Sequence, residues 1–283
     1  MSAREFLSNI SFILTVMAIA ALLETAVPLF AAKPWRGSRR AANLGLTAIV
    51  FLLNWLLTSI AALVALRFSL RPAGVMASLG LPFSAQIVAG VVVLDFSVGY
   101  LSHRGLHLIP ALWRAHRIHH SDPFVDVTTT YRTHPIETVW RFLFVIVPVW
   151  TLGIPAGAVL IQRLLQSSNG LLEHANVRLW PPLDRVLSLV WVTPNVHKLH
   201  HSRAVAETNS NYGNILSIYD RLFGIYTPAE RAYSVRYGLD DADPARVGSL
   251  TGLLTMPFGE RKASAGLHDV LQKSQDRAEP QHG

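Results

Sequence analysis

Ten of the twelve histidines fall between residues 103 and 201, and their spacing is that of chelating helical turns. His103 and His107 form H-x3-H. His116, His119 and His120 form H-x2-H-H, and His197, His200 and His201 repeat it. His134 and His174 stand singly between. On an α-helix, residues three and four apart share a face, so two imidazoles of one turn can grip one cation. A lone H-x3-H is often coincidence. Two H-x2-H-H clusters and an H-x3-H, all at the ends of apolar stretches, point to a metal site. Several such turns packed together can surround one or two ions. Neutral imidazole suits zinc, copper, iron and nickel.

The ligand types narrow the chemistry. The chain has no cysteine, which excludes thiolate metal sites and a cysteine nucleophile. The zinc-protease helix needs Glu directly after its first His, and Arg104 stands there instead. The clusters lack the Glu-x-x-His pattern of soluble di-iron bundles. Zinc has no redox chemistry. Open positions on a redox metal let O2 bind.

The elements that must position these histidines are membrane helices. Hydrophobic residues make up 51% of the 283 and charged ones 15%, against roughly 25% charged in soluble domains. Four apolar stretches stand out, at 6–30, 43–66, 83–102 and 142–161. A helix of 25 residues reaches about 37 Å, enough for a hydrocarbon core of about 30 Å. Residues 6–30 are too long an apolar run, with too weak a cleavage site, to read as a signal peptide. The expected architecture is all-α: membrane helices at 1–82, a catalytic region at 83–235 that includes surface helices, and a polar tail at 236–283. His268 and His282 in that tail are expected to be solvated.

The net charge of +7 fits contact with anionic lipid headgroups. No nucleic-acid motif is present. Arg39, Arg40 and their basic neighbours Lys33 and Arg36 precede the second stretch, and Arg104, Arg114, Arg117 and Arg132 follow the third. The positive-inside rule puts both regions in the cytoplasm. One metal cluster cannot be built from both sides of a bilayer. The stretch 142–161 is therefore expected to double back at Gly153, Ile154, Pro155 and Gly157, giving arms near 138–152 and 156–170 with both ends cytoplasmic.

Other residues take supporting readings. Asp95, a carboxylate inside a span, lies eight residues before His103 and is expected to orient a ligand ring. Glu137, near His134, and Asn195, near His197, are further candidates for orienting rings, with Asn195 read first as a helix N-cap. Asp220 and Arg221 read as a mutual pair closing the cap. Trp113, Trp140, Trp180 and Trp191 read as interfacial anchors.

The stretches SHRGLH (102–107), WRAHRIHHSD (113–122), YRTHPIE (131–137), NGLLEHANV (169–177), TPNVHKLHHS (193–202) and NYGNILSIYDRLFGIY (211–226) resemble those of one family. It is the fatty acid hydroxylase/sterol desaturase superfamily of integral-membrane di-iron proteins, and in particular its bacterial members. Order and intervals fit over residues 90–235. The resemblance implies two irons held by His103, His107, His116, His119, His120, His134, His174, His197, His200 and His201. It implies O2 as co-substrate and oxidation of a lipid C–H bond, by hydroxylation ahead of desaturation. The lipid is a sterol, a fatty acyl chain, a sphingolipid or a carotenoid. It further implies a multi-pass protein of the bacterial inner membrane, and a separate electron donor, because no haem- or flavin-binding fingerprint is present. The rival is a membrane metal-binding or transport protein without redox catalysis. A transporter should place ligands near mid-membrane, whereas these lie at span ends. A haem-binding electron carrier needs far fewer histidines.

Overall fold

In the computed structural model, residues 3–31, 38–70 and 74–259 are described. His268 and His282, with Lys33 and Arg36, lie outside the described residues. Helices α1 (Ala3–Ala26), α2 (Ser38–Leu70) and the one-turn α3 (Val75–Ser78) come first. A continuous composite helix follows, made of α4 (Phe83–Leu94), a π-helical segment (Asp95–Leu101) and α5 (Ser102–Leu108). The chain then bends at Ile109, whose backbone is extended, and Pro110 opens α6 (Pro110–His120). Pro suits that first helical position because its missing N–H would have no partner there. Helices α7 (Pro135–Leu152) and α8 (Ala156–His174) complete the bundle.

A cap of short helices covers one end. It comprises α9 (Pro181–Leu187), α10 (Pro194–His200), α11 (Val205–Thr208), α12 (Ile218–Leu222), α13 (Pro244–Val247) and α14 (Leu250–Thr255). Two isolated bridges are the only β pairing, and no strand forms among the described residues. The all-α expectation holds.

Among the described residues, three helices are long and apolar enough to cross a membrane: Ser38–Arg67, Phe83–Leu108 and Pro135–Leu152. The expected first span appears as α1, whose apolar part, Ile10–Ala26, is shorter. The outward faces carry exposed apolar side chains, among them Leu52, Leu56 and Leu63 on α2, Leu143 and Val147 on α7, and Leu160 and Leu165 on α8. Hydrocarbon solvates such faces; water does not. Inside the bundle, Ala61, Ala65, Leu94, Val98, Val145, Val149, Ile154 and Ala158 form one apolar core joining α2, the composite helix and the α7–α8 pair. Gly90 is the close-approach point. A Cβ there would stand 2.7 Å from Ala158 Cβ, so only glycine lets α4 and α8 meet.

The segment 142–161 does not cross as one helix. Helix α7 continues through Pro148 and stops at Gly153, which adopts the left-handed conformation (φ 71°) that glycine tolerates. Pro155 then precedes α8. The two arms return to the same end of the molecule, where Thr130 Oγ1 donates to Gly170 O at 3.3 Å. This is the expected hairpin.

Buried polar contacts tie the helix ends at that pole together. Arg39, at the start of α2, donates to both oxygens of Asp122 at 2.9 and 2.7 Å and to Asp126. Arg132 donates to Asn43 Oδ1 at 2.6 Å and to Ile118 O at 2.9 Å. Glu24, near the end of α1, accepts from the backbone N–H groups of Val127 and Asn176 at 2.7 and 2.8 Å. The loop 121–134 is thereby fixed to three helices. Removing one partner of a buried pair leaves an uncompensated charge and costs about 3–5 kcal/mol. Arg39→Met should therefore lower unfolding stability by roughly that amount, read from denaturant unfolding in detergent. A loss under about 1 kcal/mol would place this network with weak surface pairs.

Candidate metal centre

Four elements converge at the capped pole. Helix α5 brings His103 and His107, α6 brings His116, His119 and His120, α8 ends on His174, and α10 brings His197, His200 and, at its C-cap, His201. Thr193 caps α10 through its side chain and Pro194 opens it, which starts the helix one turn before its ligands.

The nine rings sort into two groups, all buried. One contains His103, His107, His116, His120 and His200; the other contains His119, His174, His197 and His201. Within each group one nitrogen of every ring lies within 4.8 Å of all the others. The helical spacing explains the division. In each H-x2-H-H, the first and last rings, four apart, stay in one group, and the middle ring points into the other.

The hydrogen bonds fix several tautomers. His103 Nδ1 lies 2.8 Å from Tyr212 O, His174 Nδ1 is 2.7 Å from Gly170 O, and His200 Nδ1 is 2.9 Å from Ser210 O. A carbonyl only accepts, so each Nδ1 carries the proton and each Nε2 presents a lone pair. His116 Nδ1 donates to Glu137 Oε2 at 2.9 Å. His103 Nε2 and His116 Nε2 then stand 3.2 Å apart with two lone pairs facing when both rings are neutral. In the second group His174 Nε2 is 3.0–3.1 Å from the Nε2 atoms of His119, His197 and His201. A single lone pair cannot satisfy three donors. His200 Nε2 and both nitrogens of His107 are buried without a hydrogen-bond partner. Cations at the two foci would resolve the facing Nε2 pairs and take up His200 Nε2 and one nitrogen of His107. Metal–imidazole bonds of about 2.0–2.1 Å put neighbouring ligand nitrogens at this sort of spacing. The residues therefore fit a pair of metal ions.

Burial keeps the rings in the form metals need. Burial, reinforced by neighbouring imidazoles, holds His119, His120, His197 and His201 well below the usual histidine range, and burial pushes His200 down to about 3. Neutral imidazole is the ligating form.

A cavity of about 580 Å³ opens from the two groups. His103, His119, His174 and His197 line its inner end, and Phe51, Leu63, Leu66, Leu160 and Leu164 line its walls between α2 and α8.

The fatty acid hydroxylase family profile matches residues 87–225, the stretch that carries every one of these rings. The chain belongs to the fatty acid hydroxylase/sterol desaturase superfamily. An ornithine lipid hydroxylase of Rhizobium tropici is 36% identical over 159 residues, 56% of this chain and 46% of the relative. Alkylglycerol monooxygenases of Caenorhabditis elegans and Xenopus tropicalis are 27% and 29% identical, over 50% and 56% of this chain and 27% and 34% of the relatives. The chain thus spans less than half the length of each of these relatives. No solved structure matches it.

Within this superfamily member, the structure departs from several sequence expectations. His134 joins neither group. It caps α7, with Nδ1 accepting from Ile136 N at 3.2 Å and Nε2 facing Leu254 O at 3.2 Å, so both nitrogens are occupied. Asp95 touches no imidazole; its Oδ2 accepts from Leu216 N at 3.3 Å. It sits on the π-helical segment, where the α-helical angular step used to align it with His103 does not apply. Asn195 neither orients a ring nor caps α10; it donates to Asp184 Oδ2 at 3.0 Å. Asp220 and Arg221 hold the cap separately. Asp220 accepts from Tyr212 N and Gly213 N at 2.8 and 2.9 Å, and Arg221 donates to Ser188 O at 2.9 Å and stacks on Tyr226. Trp113 packs against His107 and His120 rather than standing apart as an anchor, whereas Trp180 is exposed.

Glu137 behaves as a ring-orienting carboxylate, toward His116 instead of His134. Glu173 was missed. Its Oε1 lies 3.8 Å from His174 Nδ1 and from His197 Nε2, and Asn214 donates to it at 2.9 Å. Its position directly before His174 was the available signal. A carboxylate that fixes a ligand ring is worth about 10–100-fold in metal affinity. Glu137→Gln should weaken metal binding by about that factor, measured by competition with a chelator. Asp95→Asn should leave metal content unchanged. Equal losses from both substitutions would remove this distinction.

Proposed function

We propose that this chain is a membrane-embedded, O2-dependent hydroxylase of a polar lipid, working through two irons. The ligand set in this reading is the nine grouped histidines, with His134 outside it. The observation that carries it is the pair of buried histidine groups at the inner end of an apolar cavity open toward the membrane-facing helices. The relatives named hydroxylase and monooxygenase support hydroxylation over desaturation. The names of those relatives point to ornithine lipids and alkylglycerols, and so to lipids with polar head regions, as the substrate class.

The chain's own residues contribute positioning and exclusion. Tyr212 O, Gly170 O, Ser210 O and Glu137 hold the Nδ1–H groups, aiming each Nε2 at its focus. Such partners make the imidazoles better donors and restrict them to one geometry. The apolar cavity admits a lipid from the side and excludes water, which protects the oxidation from side reactions. His103, His119, His174 and His197 reach the cavity surface, so a chain lying there passes beside both groups. Two irons, when bound, supply the redox chemistry that activates O2. In the balance, R–H and O2 with two electrons and two protons give R–OH and water. The electrons come from a separate donor protein. Basic residues Arg104, Arg114 and Arg117 at the histidine pole favour a cytoplasmic orientation, where such a donor can reach it.

The purified, active protein should contain two irons per chain. With ¹⁸O2 and membrane lipids as substrate, one labelled oxygen should enter a lipid product. Stripping the metal should abolish turnover, and ferrous iron, not zinc, should restore it. An active preparation with one metal or none, or a product labelled only from water, would overturn the proposal.

A further inference from the structure

The cavity is not uniformly apolar. Arg163, Tyr131 and Ser167 line the same space. Arg163 lies eleven residues before His174 on α8, about 16 Å along the helix axis. Ser167 is one turn closer to the histidines. Tyr131 comes from the loop before α7 and packs edge-on against Phe51 of α2, with ring centroids 4.7 Å apart.

Two of these groups carry a buried polar atom without a partner. Arg163 Nε is buried and has no hydrogen-bond partner, and Tyr131 Oη is buried without one in hydrogen-bond geometry, although it lies beside Ser167. No carboxylate comes within ion-pair distance of Arg163 among the described residues. The acids that line the same cavity are engaged elsewhere. Glu137 binds His116 and Arg141 at 2.9 and 2.8 Å. Glu173 accepts from Asn169 and Asn214 at 3.2 and 2.9 Å. A charged residue within a membrane bundle is costly and pairs with something. A guanidinium offers a planar fork of donors that fits carboxylate and phosphate oxygens, and the Tyr and Ser hydroxyls add donors on the same side.

We propose that Arg163, Tyr131 and Ser167 form a subsite for the anionic oxygen group of an acidic lipid, a carboxylate or a phosphate. This rests on the lipid hydroxylase reading above and narrows its substrate class. The anchored group would set which carbon of the lipid lies beside the histidines, because Arg163 and Ser167 are fixed on the helix that ends on His174. A neutral lipid of the same length enters the cavity but leaves Arg163 unpaired.

The test separates binding from turnover. The full chain, purified in neutral detergent and loaded with redox-inert zinc, is titrated with dodecanoate, dodecyl phosphate and dodecanol, and affinities are read by native mass spectrometry. Wild type should bind at least one of the two anions about 10–100-fold more tightly than dodecanol, the range for a charge-assisted hydrogen bond. The tighter anion identifies a carboxylate or a phosphate as the lipid's group. Arg163→Gln should abolish that preference and leave dodecanol affinity unchanged, which also shows the cavity is intact. Dodecanol binding as tightly as both anions would overturn the proposal. So would an anion preference that survives Arg163→Gln, since the anion would then sit on the zinc. If Arg163→Gln does not fold, Tyr131→Phe and Arg163→Lys carry the test. Each should weaken anion binding while sparing dodecanol, and unchanged anion binding in both overturns the subsite. Because zinc permits no turnover, a failed subsite leaves the hydroxylase reading standing, and a failed ¹⁸O2 experiment leaves the measured anion site standing.

Discussion

Buried imidazole lone pairs aimed at one another are the constraint on which the rest of this structure depends. In a low-dielectric interior, lone pairs about 3 Å apart without a proton between them repel, and neither has water to turn to. Two cations placed at the foci would convert that repulsion into bonds. A ring keeps its lone pair on the focus while it is held from behind, and four of the nine rings, His103, His116, His174 and His200, are so held by a carbonyl or carboxylate. The carbonyls of Tyr212, Gly170 and Ser210 and the carboxylate of Glu137 each clamp an Nδ1–H. Gly170 lies one turn before its ring, whereas Tyr212 reaches His103 from more than a hundred residues away. Asp220 fixes the backbone that presents Tyr212, and Arg141 holds the second oxygen of Glu137. The cap is therefore part of the site, and its many side-chain-to-backbone bonds serve ring orientation.

A second constraint follows from the bilayer. Ligands from α5, α6, α8 and α10 meet at one pole, so the apolar segment between α6 and α10 must return to the side it left. The left-handed Gly153 and the following Pro155 turn it back, and Gly90 lets the returning arm lie close against α4. At the capped pole, the ends of α1 and α2 need their own attachment. Glu24 and Arg39 supply it through buried hydrogen bonds to the loop between α6 and α7. The same loop ends in His134, whose role as the cap of α7 starts that helix where Glu137 meets His116.

The histidine groups were legible in the sequence because spacings of three and four have one meaning on a helix, and the hairpin because Gly and Pro limit where an apolar run can turn. What the sequence hid was angular and tertiary. The π-helical turn at Asp95–Leu101 changes the direction of Asp95 without altering its spacing. His134 carries the same chemistry as the ligands, and only its place before Pro135 at a helix start distinguishes it. Asn195 looked like a cap, yet Thr193 stands at the true boundary, two residues earlier. Glu173 offered only its place directly before His174, since its contact to Asn214 depends on a loop about forty residues away.

The cavity raises a question of selectivity that its apolar walls cannot answer. A lipid moving from the bilayer into the protein exchanges one hydrocarbon surface for another. The hydrophobic effect, which drives apolar ligands out of water, supplies little here because the lipid's tail is not in water to begin with. Packing against Phe51, Leu160 and Leu164 distinguishes shapes only weakly, at a scale of about 1–3 kcal/mol per methylene misfit. Polar groups set inside such walls act more strongly, because each one left unpaired keeps its full desolvation cost. A lipid without a matching group inherits that cost, and a lipid with one removes it. On the proposed reading, the few polar side chains of the apolar cavity would decide which lipid stays long enough to react, and the metal groups would decide what happens to it.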